Sequence, residues 1–149
     1  MAGTRSRARR LALQYLYYVD LEGGAGGAAP FDEFARSFGP GGADIEYAAE
    51  LVRRVASGRE GLDSAIDAAA ENWDVERISV VERNVLRLGC AELSPGSDVP
   101  AASVIDEAVV LAKEFGDAAS GGFVNGVLDA VRRSRPDGAA DGEPDEQGS

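Results

Sequence analysis

Apolar residues return every three to four positions through nearly the whole chain, the period of an amphipathic helix, and no segment alternates as a half-buried strand would. The first such run spans Thr4 to Leu21. It places Ala8, Leu11, Ala12, Tyr15, Leu16 and Val19 on one stripe, with a Gly/Ala loop over 23–29 behind it. A short second helix is expected from Pro30, anchored by Phe31, Phe34 and Phe38 and broken by the glycines of 39–42. The longest helix begins near Asp44, whose side chain suits an N-cap, and ends near Trp73. Leu51, Val55, Leu62 and Ile66 keep one of its faces apolar. Gly58 and Gly61 weaken its middle and leave it open to a bend or break.

Ser79 and Glu82 stand in the S-x-x-E spacing of a capping box, in which serine and glutamate each satisfy a free backbone N–H. The helix they open is apolar on many sides, with Val81, Val85, Leu86, Leu88, Gly89, Cys90 and Leu93. Such a helix belongs at the centre of a fold. Pro95, Gly96 and Ser97 close it. Asp98 is positioned to cap a fifth helix with Pro100 in its first turn; Val104, Ile105, Ala108, Leu111, Ala112 and Phe115 form its stripe, and Gly116 stops it. A sixth runs from Ser120 with Phe123, Val124, Val127, Leu128 and Val131 inward, and Pro136 ends the folded part. The expectation is an all-α fold with one domain over 1–135. The Asp, Glu, Gly and Ala residues of 136–149 read as a disordered acidic tail.

Composition narrows the chemistry. The chain has 149 residues, a net charge of −11, no histidine and one cysteine. That leaves no intrachain disulfide, no Cys/His zinc site and no histidine catalysis. Asp106 with Glu107, and Asp44 with Glu46, are the nearest approach to carboxylate clusters, without a nucleophile or metal-ligand pattern beside them. No phosphate-binding glycine loop appears. A binding protein is expected, with no cofactor, metal or membrane span. Reducing, cytoplasmic conditions fit the lone Cys90, which reads as a small core residue. The acidity is unevenly spread. Five acids fall in the tail, whereas Arg5, Arg7, Arg9 and Arg10 lie in the first ten residues with no acid among them.

At 100° per residue, Arg7, Arg10, Gln14 and Tyr17 share the side of the first helix opposite its apolar stripe, with Arg5 and Arg9 nearer the core edge. Guanidinium groups suit phosphate, and a tyrosine ring suits an unpaired base. Arginines at a helix N-terminus oppose the macrodipole, so stability alone does not place them there. An ordinary solvated basic start remains the competing reading. Glu82 caps its helix and can also accept hydrogen bonds from a base edge or an arginine. Phe123 packs in the core or, if its ring is partly exposed, stacks on a base.

Three segments carry a family resemblance. RSRARRLALQYLYYVD looks like the basic opening helix of NusB proteins. VVERNVLRLGCAELSPGSDVPAASVIDEAVVLAKEFG resembles their central block, and FVNGVLDAV their closing motif. In order and spacing these cover nearly the whole chain up to Arg135. The resemblance implies six to seven helices in two packed helical subdomains. It also implies an antitermination factor that binds boxA-type RNA together with NusE, a small-subunit ribosomal protein. That pair supports processive transcription of ribosomal RNA operons in a polymerase-bound assembly with NusA and NusG. Carried over by motif, the RNA surface includes Arg5, Arg7, Arg9, Arg10, Tyr17, Glu82 and Phe123, to which the wheel adds Gln14. The NusE surface lies around 82–93 and 101–115, with Glu82, Arg83, Arg87, Glu107 and Lys113 as its polar residues. Asp106 stands where the family has Asn, and Gly121 and Gly122 leave the loop before the last motif without contacting side chains. A protein-interaction module without RNA function, or a homodimer hiding the same surface, is the alternative.

Overall fold

The computed structural model describes residues 3–23, 27–38, 42–73, 78–95 and 97–134. Among them are six helices and no strand: α1 (Thr4–Leu21), α2 (Phe31–Phe38), α3 (Ile45–Ala69), α4 (Val80–Glu92), α5 (Ala101–Phe115) and α6 (Ser120–Ser134). The acidic tail lies outside the described residues.

α1 starts without help from its own sequence, because Gly3 offers no side-chain cap and the first turn holds no acid. It is tied down from elsewhere: the Asp44 N–H donates to the Thr4 carbonyl (3.1 Å). The turn that reaches this point needs Gly42, whose φ of +84° lies in the left-handed region. A Cβ there would also stand 2.3 Å from Nη1 of Arg7. Asp44 then caps α3 by accepting from the Tyr47 N–H (3.0 Å).

α3 runs unbroken through Gly58 and Gly61, so the break to which the glycines left it open does not occur. Each glycine costs about 1 kcal/mol relative to alanine. Burial of Leu51, Val55 and Ile66 on either side, and ion pairs from Arg59 to Asp20 and from Asp63 to Arg87, offset that cost. The helix stops at Ala69, and a further turn, closed by the Trp73 N–H on the Ala70 carbonyl (2.8 Å), carries the chain to Trp73.

The capping box forms as expected. Glu82 N–H donates to Ser79 Oγ and Ser79 N–H to Glu82 Oε1, both at 3.0 Å. α4 is then buried from Asn84 to Glu92, the central helix its composition implied. It packs closely on α6, where a Cβ at Gly89 would lie 2.7 Å from Leu128 Cδ1. The cap expected of Asp98 is absent: Pro100 occupies the N-cap of α5, and Asp98 turns to Arg5 instead.

Two clusters of buried side chains result. The larger unites α3 to α6 with part of α1, around Leu51, Ile66, Leu86, Val104, Val124 and Leu128. The smaller joins α1, α2 and the start of α3 through Ala8, Leu11, Tyr15, Val19, Phe34 and Ala48. Its aromatic rings meet edge-on and stacked, as Tyr15 and Tyr18 do with Phe34 at 5.2 Å each. α1 therefore lies between the two clusters and shows only its outer side to solvent.

Candidate nucleic-acid interface

The four N-terminal arginines have four different fates. Arg9 is interior. Its guanidinium grips Glu92 of α4 through Nε–Oε1 (2.7 Å) and Nη2–Oε2 (2.9 Å), and both side chains are at least nine-tenths buried. The Tyr47 hydroxyl donates to the same carboxylate. Burial opposes the charge on Arg9, but the hydrogen bond and attraction of Glu92 outweigh it and hold the guanidinium above its ordinary range. Burial, then the bond to Glu92, pushes the Tyr47 hydroxyl up to about 12. Arg9 was expected at the RNA surface; the structure corrects this, because both forks of the guanidinium face a carboxylate inside the fold.

Arg5 lies half-exposed over the Tyr47 ring, 4.2 Å from its centroid, and pairs with Asp98 at 3.3 Å. Arg10 makes a two-pronged contact with Glu114 at the end of α5. The hydrogen bond to Glu114 holds its guanidinium charge firmly, against a smaller opposing effect of burial. Arg7, folded against Gly42, has no carboxylate partner among the described residues.

These pairs fix the direction of α1. Ser6 Oγ donates to Glu107 (2.8 Å) and Arg10 reaches Glu114, so long side chains link α1 to α5 with the two helices running in the same sense. Half-buried Gln14 and exposed Tyr17 continue along α1 toward the end of α5. At the far end of α1, Asp20 accepts from Asn84 Nδ2 (2.9 Å), two residues beyond Glu82. Glu82 itself accepts from Ser120 Oγ (2.6 Å), which fastens the start of α6 to the start of α4. One turn later comes Phe123. The outer face of α1 thus leads to a corner made by the starts of α4 and α6.

Phe123 takes the first of its two expected roles, packing in the core, and its covered ring does not fit the base-stacking one. It is only 9% exposed, because Trp73 stands edge-on to it with centroids 4.9 Å apart. Trp73 is itself 46% exposed. In the sequence Trp73 marks only a helix end; the signal it carries is a lone indole just past an amphipathic helix.

The residues assigned to a partner surface also divide. Arg87 is buried, bound to Asp63 at 2.8 and 3.0 Å and to Asn84 Oδ1 at 3.0 Å. That corrects its assignment as a contact residue. Asp63 is held below the usual carboxylate range, since the bond to Arg87 overrides the opposing effect of burial. Arg83 remains accessible while pairing with Asp67 (2.9 Å). Glu107 is a third exposed and lies 3.6 Å from Arg9. Lys113 is exposed, its stem lying against Gly121. Glu92 was missed because nothing local marks an acid in the run VLRLGCAEL as the partner of an arginine on another helix.

Among the described residues no group of His, Cys, Asp or Glu could hold a metal ion, and no helix is long and apolar enough to cross a membrane.

Comparison with known proteins agrees with this architecture. The NusB family model matches residues 6–133. A transcription antitermination protein NusB from Anaeromyxobacter dehalogenans (strain 2CP-1 / ATCC BAA-258) is 44% identical over 91% of this chain and 95% of its own length. One from Geobacillus kaustophilus (strain HTA426) is 41% identical over 86% and 95%. Among solved structures, T. maritima NusB superposes with a TM-score of 0.72 at 30% identity, covering 88% of this chain and 92% of that one. A crystal structure of the antitermination factors NusB and NusE in complex with double-stranded RNA also gives 0.72, at 35% identity over 87% and 96%. The helix order, the buried centre at α4 and these similarities together place the chain in the NusB family of transcription antitermination proteins.

Proposed function

We propose that this chain binds boxA-type RNA jointly with NusE, in the cytoplasm, and so supports processive transcription of ribosomal RNA operons in an assembly with NusA and NusG. The observation that carries the reading is the outer face of α1. Arg7 and Arg10 supply charge, Gln14 and Tyr17 supply a polar and a stacking group, and the face continues toward the corner at Glu82 and Ser120. Phosphate contacts give affinity and salt dependence, while unpaired bases are read by stacking and edge contacts. The similarity to a NusB crystallised with NusE and RNA supports the same reading. Arg83, Glu107 and Lys113 are the accessible polar residues of the NusE-facing side.

The test is binding of a boxA-type RNA, with and without NusE from the same source, over a range of salt. Arg7→Ala with Arg10→Ala should weaken binding and flatten the salt slope by about 1.4 if each arginine meets one phosphate of a single strand. No binding by the unaltered chain at low salt, alone or with NusE, would overturn the proposal. A dimer that dissociates without gaining RNA affinity would favour the interaction-module alternative.

A further inference from the structure

We infer that Trp73, rather than Phe123, is the aromatic platform on which an unpaired RNA base stacks at the corner formed by α3, α4 and α6. The inference rests on the RNA-binding reading above and names a residue of that surface. Phe123 is covered: its ring is 9% exposed and has Trp73 against it. Trp73 keeps 46% of its surface in solvent. It is also held in place. Phe123 meets it at an interplanar angle of 73°, and Gly126 of α6 lies close against the indole, where a Cβ would be in ordinary van der Waals contact with Cζ2 at 3.4 Å. An exposed ring ordered before binding loses little freedom when a base lands on it. The site is continuous with the proposed RNA face, because Phe123 lies one turn from Ser120, which is bonded to Glu82. Gly122, exposed and without neighbours where a Cβ would be, puts no side chain over the approach. Base stacking needs such an open π-face, and phosphate attraction further along the same strand falls to the arginines of α1.

The chain has one tryptophan, so its fluorescence reports this residue alone. Titrating the full chain, with a tryptophan-free form of NusE present, with a short unpaired boxA-type RNA should quench the indole in step with binding, and the same RNA annealed to its complement should quench it less. Trp73→Ala should weaken binding of the unpaired RNA about tenfold with the salt slope unchanged, the mark of a lost stack rather than a lost phosphate. Trp73→Phe should restore most of the affinity. A helical circular-dichroism spectrum like that of the unaltered chain shows that the variants are folded. If the unaltered chain binds RNA with its fluorescence unchanged, or if Trp73→Ala binds within twofold, the inference fails while the RNA-binding reading stands. If NusE alone shifts the indole emission and RNA adds nothing, the ring belongs to a protein contact and the inference also fails. Absence of any RNA binding by the unaltered chain would instead overturn the reading on which it rests.

Discussion

The inner and outer sides of α1 use the same residue type for opposite purposes. On the inner side, Arg9 is locked to Glu92 and Tyr47 and has no surface left to offer. On the outer side, Arg7 lies against the turn at Gly42 with no carboxylate partner among the described residues, and Arg10 is held by an exposed carboxylate. A buried arginine without its partner leaves an uncompensated charge in the interior, whereas an exposed pair contributes little to stability. The inner arginine therefore fixes where the helix sits, and the outer ones keep guanidinium groups that an anion from solvent can still reach. Positive charge alone does not make a nucleic-acid surface; the partner each charge already has decides.

The sharpest way to break this contrast is to remove Glu92. Glu92→Ala should destabilise the fold by about 3–5 kcal/mol, read from the urea midpoint, because Arg9 is left buried and unpaired. A loss under about 1 kcal/mol would mean that Arg9 reaches solvent, and the two sides would no longer differ. The same network has an alkaline signature. The hydroxyl of Tyr47 is raised from 10.0 to about 12, so the neutral form favours the folded state. Its contribution is fully present below pH 10 and is lost as pH rises through about 12. Tyr47→Phe should flatten the decline in urea midpoint across that window; an identical decline in both proteins would remove Tyr47 from the network.

A smaller effect is expected where the outer face meets α4. Ser79→Ala removes half of the capping box and should cost about 1 kcal/mol in thermal or urea unfolding. Smallest is Glu114→Gln, which keeps the shape but removes the charge that holds Arg10. Stability should change by less than about 0.5 kcal/mol, and affinity for RNA at low salt should rise modestly. Weaker RNA binding would show that Glu114 positions Arg10 rather than competes for it.

Much of the frame was legible in the sequence. The bounds of α1, the Asp44 and Ser79 caps, the capping box and the central burial of α4 all follow from local pattern. What was not legible depends on distant partners. A helical wheel puts Arg9 near the core edge, but only Glu92, on another helix, turns that position into a buried ion pair. Asp98 sits at a capping distance in sequence, yet Arg5 of α1 claims it. Gly58 and Gly61 look like a break in isolation, and tertiary packing carries the helix through them. Of the candidate site, Arg7, Arg10, Gln14 and Tyr17 were visible from register. The covering of Phe123 by Trp73 was not, because it requires the chain beyond α3 to fold back on α6.

The pair between Arg9 and Glu92 joins positions 83 residues apart. At bacterial synthesis rates, α4 follows α1 off the ribosome by an interval on the order of ten seconds. Through that interval the first helix has no acceptor for its inner arginine and no central helix to lie against. Its four guanidinium groups are then equally open to any polyanion nearby. Completion of α4 is therefore the event that sorts them, withdrawing Arg9 into the interior and leaving the others outside.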